Sequence, residues 1–292
     1  MRDIRASFVK AMEFRSRENF EVPVGLRELV RMPTFSGFVE AVIGTNPAFN
    51  MFICEMDDLV AARLFWIRVF EPMSSLLWCE LCKSTDHAFD IGAHSGYYTL
   101  LGKRVNPSLA ILSFEPHPTV FSRLMINIRA NGLRSEYCLN KAIVPDDTQF
   151  VPLFVNADNW AITSGSSIVN PTSESINVGA LNIKKIAQVK GREPTLLKMD
   201  VEGAEESLIG ALAAISFAKI EDMLVEQLKP WSEFTNTALT EAGWSTYYID
   251  EDKMIIVPSF SQQREGPPTE SRNLWLTRRS LEASSQILDR LR

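Results

Sequence analysis

Asp90 and Glu115 end two short apolar runs 25 positions apart, and a glycine-bearing turn and a helix-like stretch lie between them. The first run, Phe89-Asp90-Ile91, leads into Gly92-Ala93-His94-Ser95-Gly96-Tyr97-Tyr98-Thr99. The second is Ser113-Phe114-Glu115-Pro116. A strand that ends in an acid, turns on glycine and enters a helix opens a βαβ unit, and the next strand brings the second acid to the same sheet edge. That restricts the chain to a largely parallel sheet covered by helices on both faces. Ligands with a nucleoside part bind at the carboxyl ends of such strands.

The alternation continues downstream. Strands are predicted at 87–91, 110–115, 136–143, 195–200 and 221–227, with helices in the gaps. In 118–131, Val120, Phe121, Leu124 and Ile128 form one apolar stripe and Gly132 ends it. Helices are also predicted over 203–215 and over 232–242, where Ser232 precedes the first turn and Gly243 follows the last. The segment 148–186 interrupts the pattern with strand-like pieces at 149–155 and 174–179. Strands at 245–250, 253–258 and 273–278 follow, the final one returning antiparallel, and a charged helix ends near Leu291.

Upstream, residues 1–50 read as a mostly helical extension broken by Pro23, Pro33, Gly37, Gly44 and Pro47. A strand at 51–54 and helices at 59–70 and 73–83, separated by Glu71-Pro72, come next. The expected organisation is an extension over 1–50, a Rossmann-like α/β domain over 51–279 and a C-terminal helix over 280–292.

The bulk numbers exclude some classes of function. Of 292 residues, 30 are Lys or Arg and 36 are Asp or Glu, for a net charge of −6, so a phosphate backbone is not an expected partner. The N-terminal stretch carries charge throughout and lacks the apolar core of a secretory signal, and no run is long and apolar enough to span a bilayer. Four cysteines with no such signal are expected as free thiols in the cytoplasm. Cys79 and Cys82 fall three apart in a helical run, SSLLWCELCK, which suits one buried helix face better than a redox dithiol or a zinc site.

Gly92 lets the chain leave its strand sharply and a ligand approach the backbone. Gly96 opens a helix whose free N–H groups favour an anion. Glu115 can accept from the two hydroxyls of a ribose. The spacing Gly92-Ala93-His94-Ser95-Gly96 is not the G-x-G-x-x-G of a dinucleotide site. Asp90, just before the first glycine, would repel a pyrophosphate. It suits the ammonium and sulfonium charges of S-adenosylmethionine (SAM). A second constellation, Leu196-Leu197-Lys198-Met199-Asp200-Val201-Glu202-Gly203-Ala204-Glu205, delivers Lys198, Asp200 and Glu202 to the end of another strand. Ionisable groups gathered there suit acid–base chemistry. Glu205 fits the simpler role of a carboxylate at a helix N-terminus.

Taken together, Asp90-Ile91-Gly92-Ala93 with Gly96 and Thr99, Phe114-Glu115-Pro116 with Pro118, Asn127 and Asn131-Gly132-Leu133, Asn140-Lys141-Ala142, Gly165-Ser166-Ser167, the run Leu197 to Glu205 and Val225-Glu226 resemble the FkbM family of SAM-dependent methyltransferases. The resemblance covers roughly residues 51 to 250. It implies a class I methyltransferase fold with an antiparallel last strand. It implies O-methylation of a hydroxyl on a sugar, glycolipid or natural-product scaffold. Asp90, Gly92, Ala93, Gly96 and Thr99 would surround the methionine part of SAM, Glu115 would hold the ribose, and Pro116 with Asn140, Lys141 and Ala142 would flank the adenine. His94 and His117 depart from the asparagines common in the family, and Lys184-Lys185 stand where an acidic pair is common.

On that reading Asp200 is the expected base or orienter of the acceptor, supported by Lys198, Glu202 and Glu226, and Ser166 and Ser167 contact acceptor or cofactor. No metal is expected. His94 is read as a turn hydrogen-bonder, with contact to the cofactor as the sharper alternative; Tyr97 or Tyr98 lines the pocket. Trp160 and Trp231 could line an acceptor groove or pack in the interior. A nicotinamide enzyme, resting only on the strand–turn–helix and Glu115, and a non-catalytic SAM-binding interaction protein are the competing functions.

Overall fold

Neighbouring residues along the central strands point to opposite faces, and both faces are apolar. Ala88, Ile111, Leu196 and Leu224 enter one core cluster, while Phe89, Leu197, Met199, Met223 and Val225 enter another. Only a sheet covered on both sides buries both sets. The computed structural model describes residues 4–23, 26–29, 31–46, 48–55, 57–134, 137–155, 166–172, 174–259 and 272–291.

In chain order the elements are α1 (Ile4–Arg15), α2 (Leu26–Leu29), β1 (Ser36–Ala41), β2 (Phe49–Cys54), α3 (Leu59–Trp66), α4 (Pro72–Cys82), β3 (His87–Ile91), α5 (Tyr97–Val105), β4 (Ala110–Phe114), α6 (Pro118–Ala130), β5 (Cys138–Leu139), β6 (Ala142–Val144), β7 (Phe150–Val155), β8 (Glu174–Asn182), α7 (Ile183–Ala187), β9 (Leu196–Met199), α8 (Glu205–Ala213), β10 (Asp222–Gln227), α9 (Glu233–Glu241), β11 (Ser245–Asp250), β12 (Ile255–Pro258), β13 (Arg272–Thr277) and α10 (Leu281–Arg290). The main sheet runs β12-β11-β13-β10-β9-β3-β4-β5. Strands β5, β4, β3, β9 and β10 pair in parallel, and β13 inserts antiparallel between β10 and β11. The last strand thus returns antiparallel, as expected, and β12 adds a second antiparallel pairing at the edge.

One face carries α4, α5, α6 and the N-terminal elements; the other carries α7, α8 and α9. Trp231 packs in the second core rather than in a groove; Trp160 and most of the loop before β13 lie outside the described residues. A smaller sheet, β6-β8-β7, has its own apolar cluster of Ala142, Val144, Leu153, Val178 and Ala180. Among the described residues no helix is long and apolar enough to cross a membrane.

The structure differs from the sequence reading in several places. The single strand read over 136–143 is two, β5 in the main sheet and β6 in the small one. Asn140 makes the break: its Nδ2 donates to the carbonyls of Glu115 and Pro116 at 2.8 and 2.9 Å, which fixes a corner there. The helix read over 59–70 ends at Trp66, and the one read from 203 starts at Glu205. The first 50 residues include β1, paired antiparallel with a β2 that runs from Phe49 past that point. These two strands are tied to the body through α6. Asn127 accepts from the Phe52 N–H at 2.7 Å and Asn131 from the Asn50 N–H at 2.9 Å, while Asn127 Nδ2 donates to the Ser95 carbonyl. All four cysteines are free, and Cys79 and Cys82 are buried on α4.

Candidate active site

Three backbone carbonyls and one carboxylate shape the turn after β3. The N–H groups of Gly92 and Ala93 both donate to the Phe114 carbonyl at 2.9 Å, and the Asp200 N–H donates to the Ile91 carbonyl. Gly92 has φ +80°, and a Cβ there would stand 1.7 Å from the Asp200 carbonyl oxygen. The close approach that requires glycine is therefore made by the end of β9, not by a ligand. His94 also lies in the left-handed region, at φ +50°. Its N–H donates to Glu115 Oε2 at 2.9 Å, and the His117 N–H donates to Oε1 at 2.7 Å. Each Glu115 oxygen thus has an amide on one side and a lone pair left for a ligand. Burial, which outweighs the nearby His94 and the two amides, pushes the Glu115 carboxyl up to about 7. His117 caps α6 by accepting from the Thr119 N–H.

At the ends of β9 and β10 four carboxyl groups gather around one lysine. Lys198 is 1% exposed, lies 3.4 Å from Asp200 Oδ2 and sits 5.0 Å from the centre of the Tyr98 ring. Burial alone would lower its pKa, but Asp200, Glu71, Glu226 and Asp90 overcome this and hold it above the ordinary lysine value. Asp200 is pulled the other way. Burial would raise it, yet Lys198 and a hydrogen bond from Glu226 keep it below the usual aspartate value. Burial and the Asp200 charge push Glu226 up to about 9. Near neutrality the pair therefore shares one proton, held by Glu226, with Asp200 ionised. Glu71 accepts from the Tyr98 hydroxyl and is raised, chiefly by burial.

Glu71, Tyr98, Glu115, Lys198, Asp200 and Glu226 line one cavity of about 420 Å³, within the size range of small-ligand sites. Of the residues expected at the site, Gly92, Ala93, His94, Tyr97, Glu115, Pro116, Lys141, Ala142, Ser166, Lys198, Asp200, Glu202 and Glu226 border it. Others stand behind it. Asp90 is buried, its Oδ2 accepting from Thr99 Oγ1 at 2.6 Å, while Thr99 also meets Ser113 Oγ at 2.6 Å. With burial as the main cause, the Asp90 carboxyl is pushed up to about 6. Gly96, at φ +95°, starts α5, and Asn140 holds its corner. Ser167 latches the turn after β9: its hydroxyl donates to the Glu202 carbonyl at 2.7 Å and accepts from the Val169 and Asn170 N–H groups. Glu205 does more than decorate a helix end, since its buried carboxylate accepts from the Val201 and Gly203 N–H groups and ties the same turn.

Sequence reasoning missed Glu71, Tyr98 as a lysine platform, and Arg63. Glu71-Pro72 reads locally as a helix breaker. Its place in the cavity comes from α4 packing beside α5, with Glu251 accepting from the Met73 and Ser74 N–H groups at the N-terminal end of α4. Three buried polar atoms on cavity residues, Arg63 Nε, His94 Nε2 and Ser166 Oγ, have no hydrogen-bond partner. Among the described residues no group of three or more His, Cys, Asp or Glu is placed to hold a metal ion.

The arrangement fits SAM on three counts: an acceptor carboxylate at the end of β4, an excess of acidic groups to meet a sulfonium and an ammonium, and a cavity of suitable volume with unpartnered polar atoms. The family model of the Methyltransferase FkbM domain matches residues 90–255. Methyltransferase 1 of Beauveria bassiana (strain ARSEF 2860) is 24% identical over 176 residues, 53% of this chain and 71% of its own. Among solved structures, a methyltransferase FkbM from Methylobacillus flagellatus KT aligns with a TM-score of 0.38 at 15% identity, over 66% of this chain and 43% of its own. An SAM-dependent methyltransferase from Agrobacterium tumefaciens aligns with a TM-score of 0.44 at 9% identity, over 83% of this chain and 70% of its own.

Proposed function

The chain belongs to the FkbM family of SAM-dependent methyltransferases, and we propose that it methylates a hydroxyl oxygen on a sugar, a glycolipid or a natural-product scaffold. The four free cysteines suit a reducing compartment, and we place the activity in the cytoplasm. The observation that carries the reading is Asp200. It is ionised, braced by Lys198, hydrogen-bonded by a protonated Glu226, and its side chain remains 30% exposed toward the cavity.

When bound, SAM would supply a methyl group already activated by its sulfonium, leaving as a neutral thioether once the methyl is transferred. The protein has then to place the hydroxyl and receive its proton. Asp200 accepts a hydrogen bond from the hydroxyl and takes its proton as the C–O bond forms. A depressed pKa is no obstacle, because an oxygen that has gained a methyl while keeping its proton is strongly acidic. Glu226 keeps Asp200 oriented, and being protonated it offers no competing base. Lys198 holds the charge of Asp200 in place. Ser166 meets the acceptor. Glu202, latched through Ser167, sets the shape of the turn that carries Asp200. Glu115 would receive the ribose hydroxyls, Pro116, Lys141 and Ala142 would flank the adenine, and Ala93, His94 and Tyr97 would border the methionine part. Asp90, Gly96, Thr99 and Asn140 act through the backbone they fix.

This assignment makes SAM binding pH-dependent. Folding raises the Glu115 carboxyl from an ordinary 4.5 to about 7, so the folded protein keeps a proton that the unfolded chain has lost. The stability that this gives is complete below about pH 4.5 and is lost as pH rises through about 7. Ribose recognition needs the ionised form. SAM affinity is therefore expected to fall below about pH 7, by at most about tenfold per pH unit because one proton competes. Calorimetric titrations across that range check it; in Glu115→Gln the binding should be weak and flat with pH. A flat profile in the wild-type protein removes Glu115 from the ribose site.

Incubation with SAM labelled in its methyl group and a panel of glycans, glycolipids and small alcohols tests the function itself. Label recovered as an ether supports the reading. Label only on nitrogen, carbon or sulfur acceptors overturns O-methylation, and tight SAM binding with transfer to nothing favours a non-catalytic role.

A further inference from the structure

Arg63 has the side chain of the cavity wall least explained by the protein itself. It stands on α3 beside Leu59 and Val60, which face the same cavity. Its Nε is closed off from solvent and has no hydrogen-bond partner, and among the described residues no carboxylate forms an ion pair with it. An arginine stays protonated in any protein environment, and here the side chain is partly exposed, with Nε alone of its three nitrogens fully closed off. Acidic groups are plentiful in the cavity, yet none of those on the described residues is paired with Arg63. Glu71 takes the Tyr98 hydroxyl, Glu115 takes two amides, Asp200 takes Lys198 and Glu226 bonds to Asp200. Lys198 is equally committed, to Asp200 and the Tyr98 ring. Arg63 is thus a partly exposed cation on the cavity wall whose guanidinium has no protein partner among the described residues.

We infer that Arg63 is an anion-docking residue of this cavity, receiving a carboxylate or phosphate of a bound small molecule. The planar guanidinium offers paired donors that match either group. Two sources have this chemistry: the carboxylate on the methionine part of SAM, and an acidic substituent on the acceptor. The inference rests on the cavity being the SAM and acceptor site, so the test separates the two failures.

Calorimetry on the wild-type protein, Arg63→Gln and Arg63→Lys uses three probes: SAM, S-adenosylhomocysteine, and 5′-methylthioadenosine, which lacks the amino-acid part. If the cofactor carboxylate is the partner, Arg63→Gln weakens the first two by about 10- to 100-fold, the effect of losing a charge-assisted hydrogen bond, and leaves methylthioadenosine unchanged. Arg63→Lys falls between, since it keeps the charge and loses the fork. If the acceptor supplies the anion, all three probes bind alike to every variant. Glucuronate or inorganic phosphate then binds the protein saturated with S-adenosylhomocysteine and is lost in Arg63→Gln. Thermal unfolding of the ligand-free variants should be unchanged, because the side chain has no partner to lose. Unaltered binding of every probe overturns the inference. Equal weakening of methylthioadenosine overturns it too, as a general disturbance of the site. Failure of the wild-type protein to bind SAM while it binds other nucleotides removes the cofactor assignment of the cavity, and the inference with it.

Discussion

Asp200→Asn is expected to lower kcat by about 10²- to 10⁴-fold, the range for loss of a positioned proton acceptor, with SAM binding nearly unchanged. Asparagine keeps the shape of the side chain and can still face Lys198 and Glu226, but it takes no proton from the acceptor. The fold should survive the change. Lys198 loses its nearest charge, yet Glu226 is held protonated largely by burial and by Asp200 itself. With Asp200 neutral, the charge that helps raise the Glu226 carboxyl is gone, so it moves down from its raised value and Lys198 favours its ionised form, although burial still opposes it. Steady-state kinetics with the acceptor found by the labelled-methyl screen, beside a calorimetric Kd for SAM, separate the two roles. Glu226→Gln is the informative companion. It retains a donor toward Asp200 and mimics the protonated acid, so it should cost less than about tenfold, within the range of one neutral hydrogen bond. Undiminished kcat in Asp200→Asn would leave the residue as scaffold only. A loss in Glu226→Gln as large as in Asp200→Asn would make Glu226 the proton carrier.

The parts legible in the sequence were those with short-range causes. The strand His87–Ile91 and the helix after Gly96 follow from an apolar run, an acid and glycines within a dozen residues, and the alternation that follows sets a parallel sheet. The ends of β9 and β10 carry their ionisable groups in adjacent sequence, so Lys198, Asp200 and Glu226 could be placed at one edge. What the sequence hides depends on distant partners. The run 136–143 reads as one strand because nothing within it shows that Asn140 reaches Glu115 and Pro116. The strand read at 51–54 is most of β2, but its partner β1 lies in a mixed segment with no clean two-residue alternation. Arg63 and Glu71 reach the cavity only because α3 and α4 pack over it, and their own neighbours suggest a helix face and a helix break. The same limit explains Asp90 and Thr99. An acid at a strand end suggests a ligand contact, but here a threonine one helical turn into α5 takes its carboxylate inward.

Gly92→Ala is expected to be the most damaging glycine-to-alanine change among the described residues. Two separate penalties meet there. At φ +80° an L side chain is strained, which costs about 1–2 kcal/mol. The added Cβ would also fall 1.7 Å from the Asp200 carbonyl oxygen and 2.7 Å from its carbon. Those atoms are backbone, and the backbone on both sides is pinned. The Asp200 N–H is bonded to the Ile91 carbonyl, and the Gly92 and Ala93 N–H groups to Phe114. Relief requires moving the end of β9 away from β3, which breaks parallel pairing and carries Asp200 out of the cavity. A loss above about 4 kcal/mol is expected, in the range kept for a named structural fault and a large part of the stability of an ordinary domain. Gly132→Ala supplies the control. Gly132 has φ +70° but open space where its Cβ would stand, so it should lose only the conformational part, about 1–2 kcal/mol. Urea unfolding of both variants isolates the clash as the difference between them. If Gly92→Ala unfolds as readily as Gly132→Ala and no more, the β9 end is mobile, and the close seating of Asp200 against this turn is not what positions it.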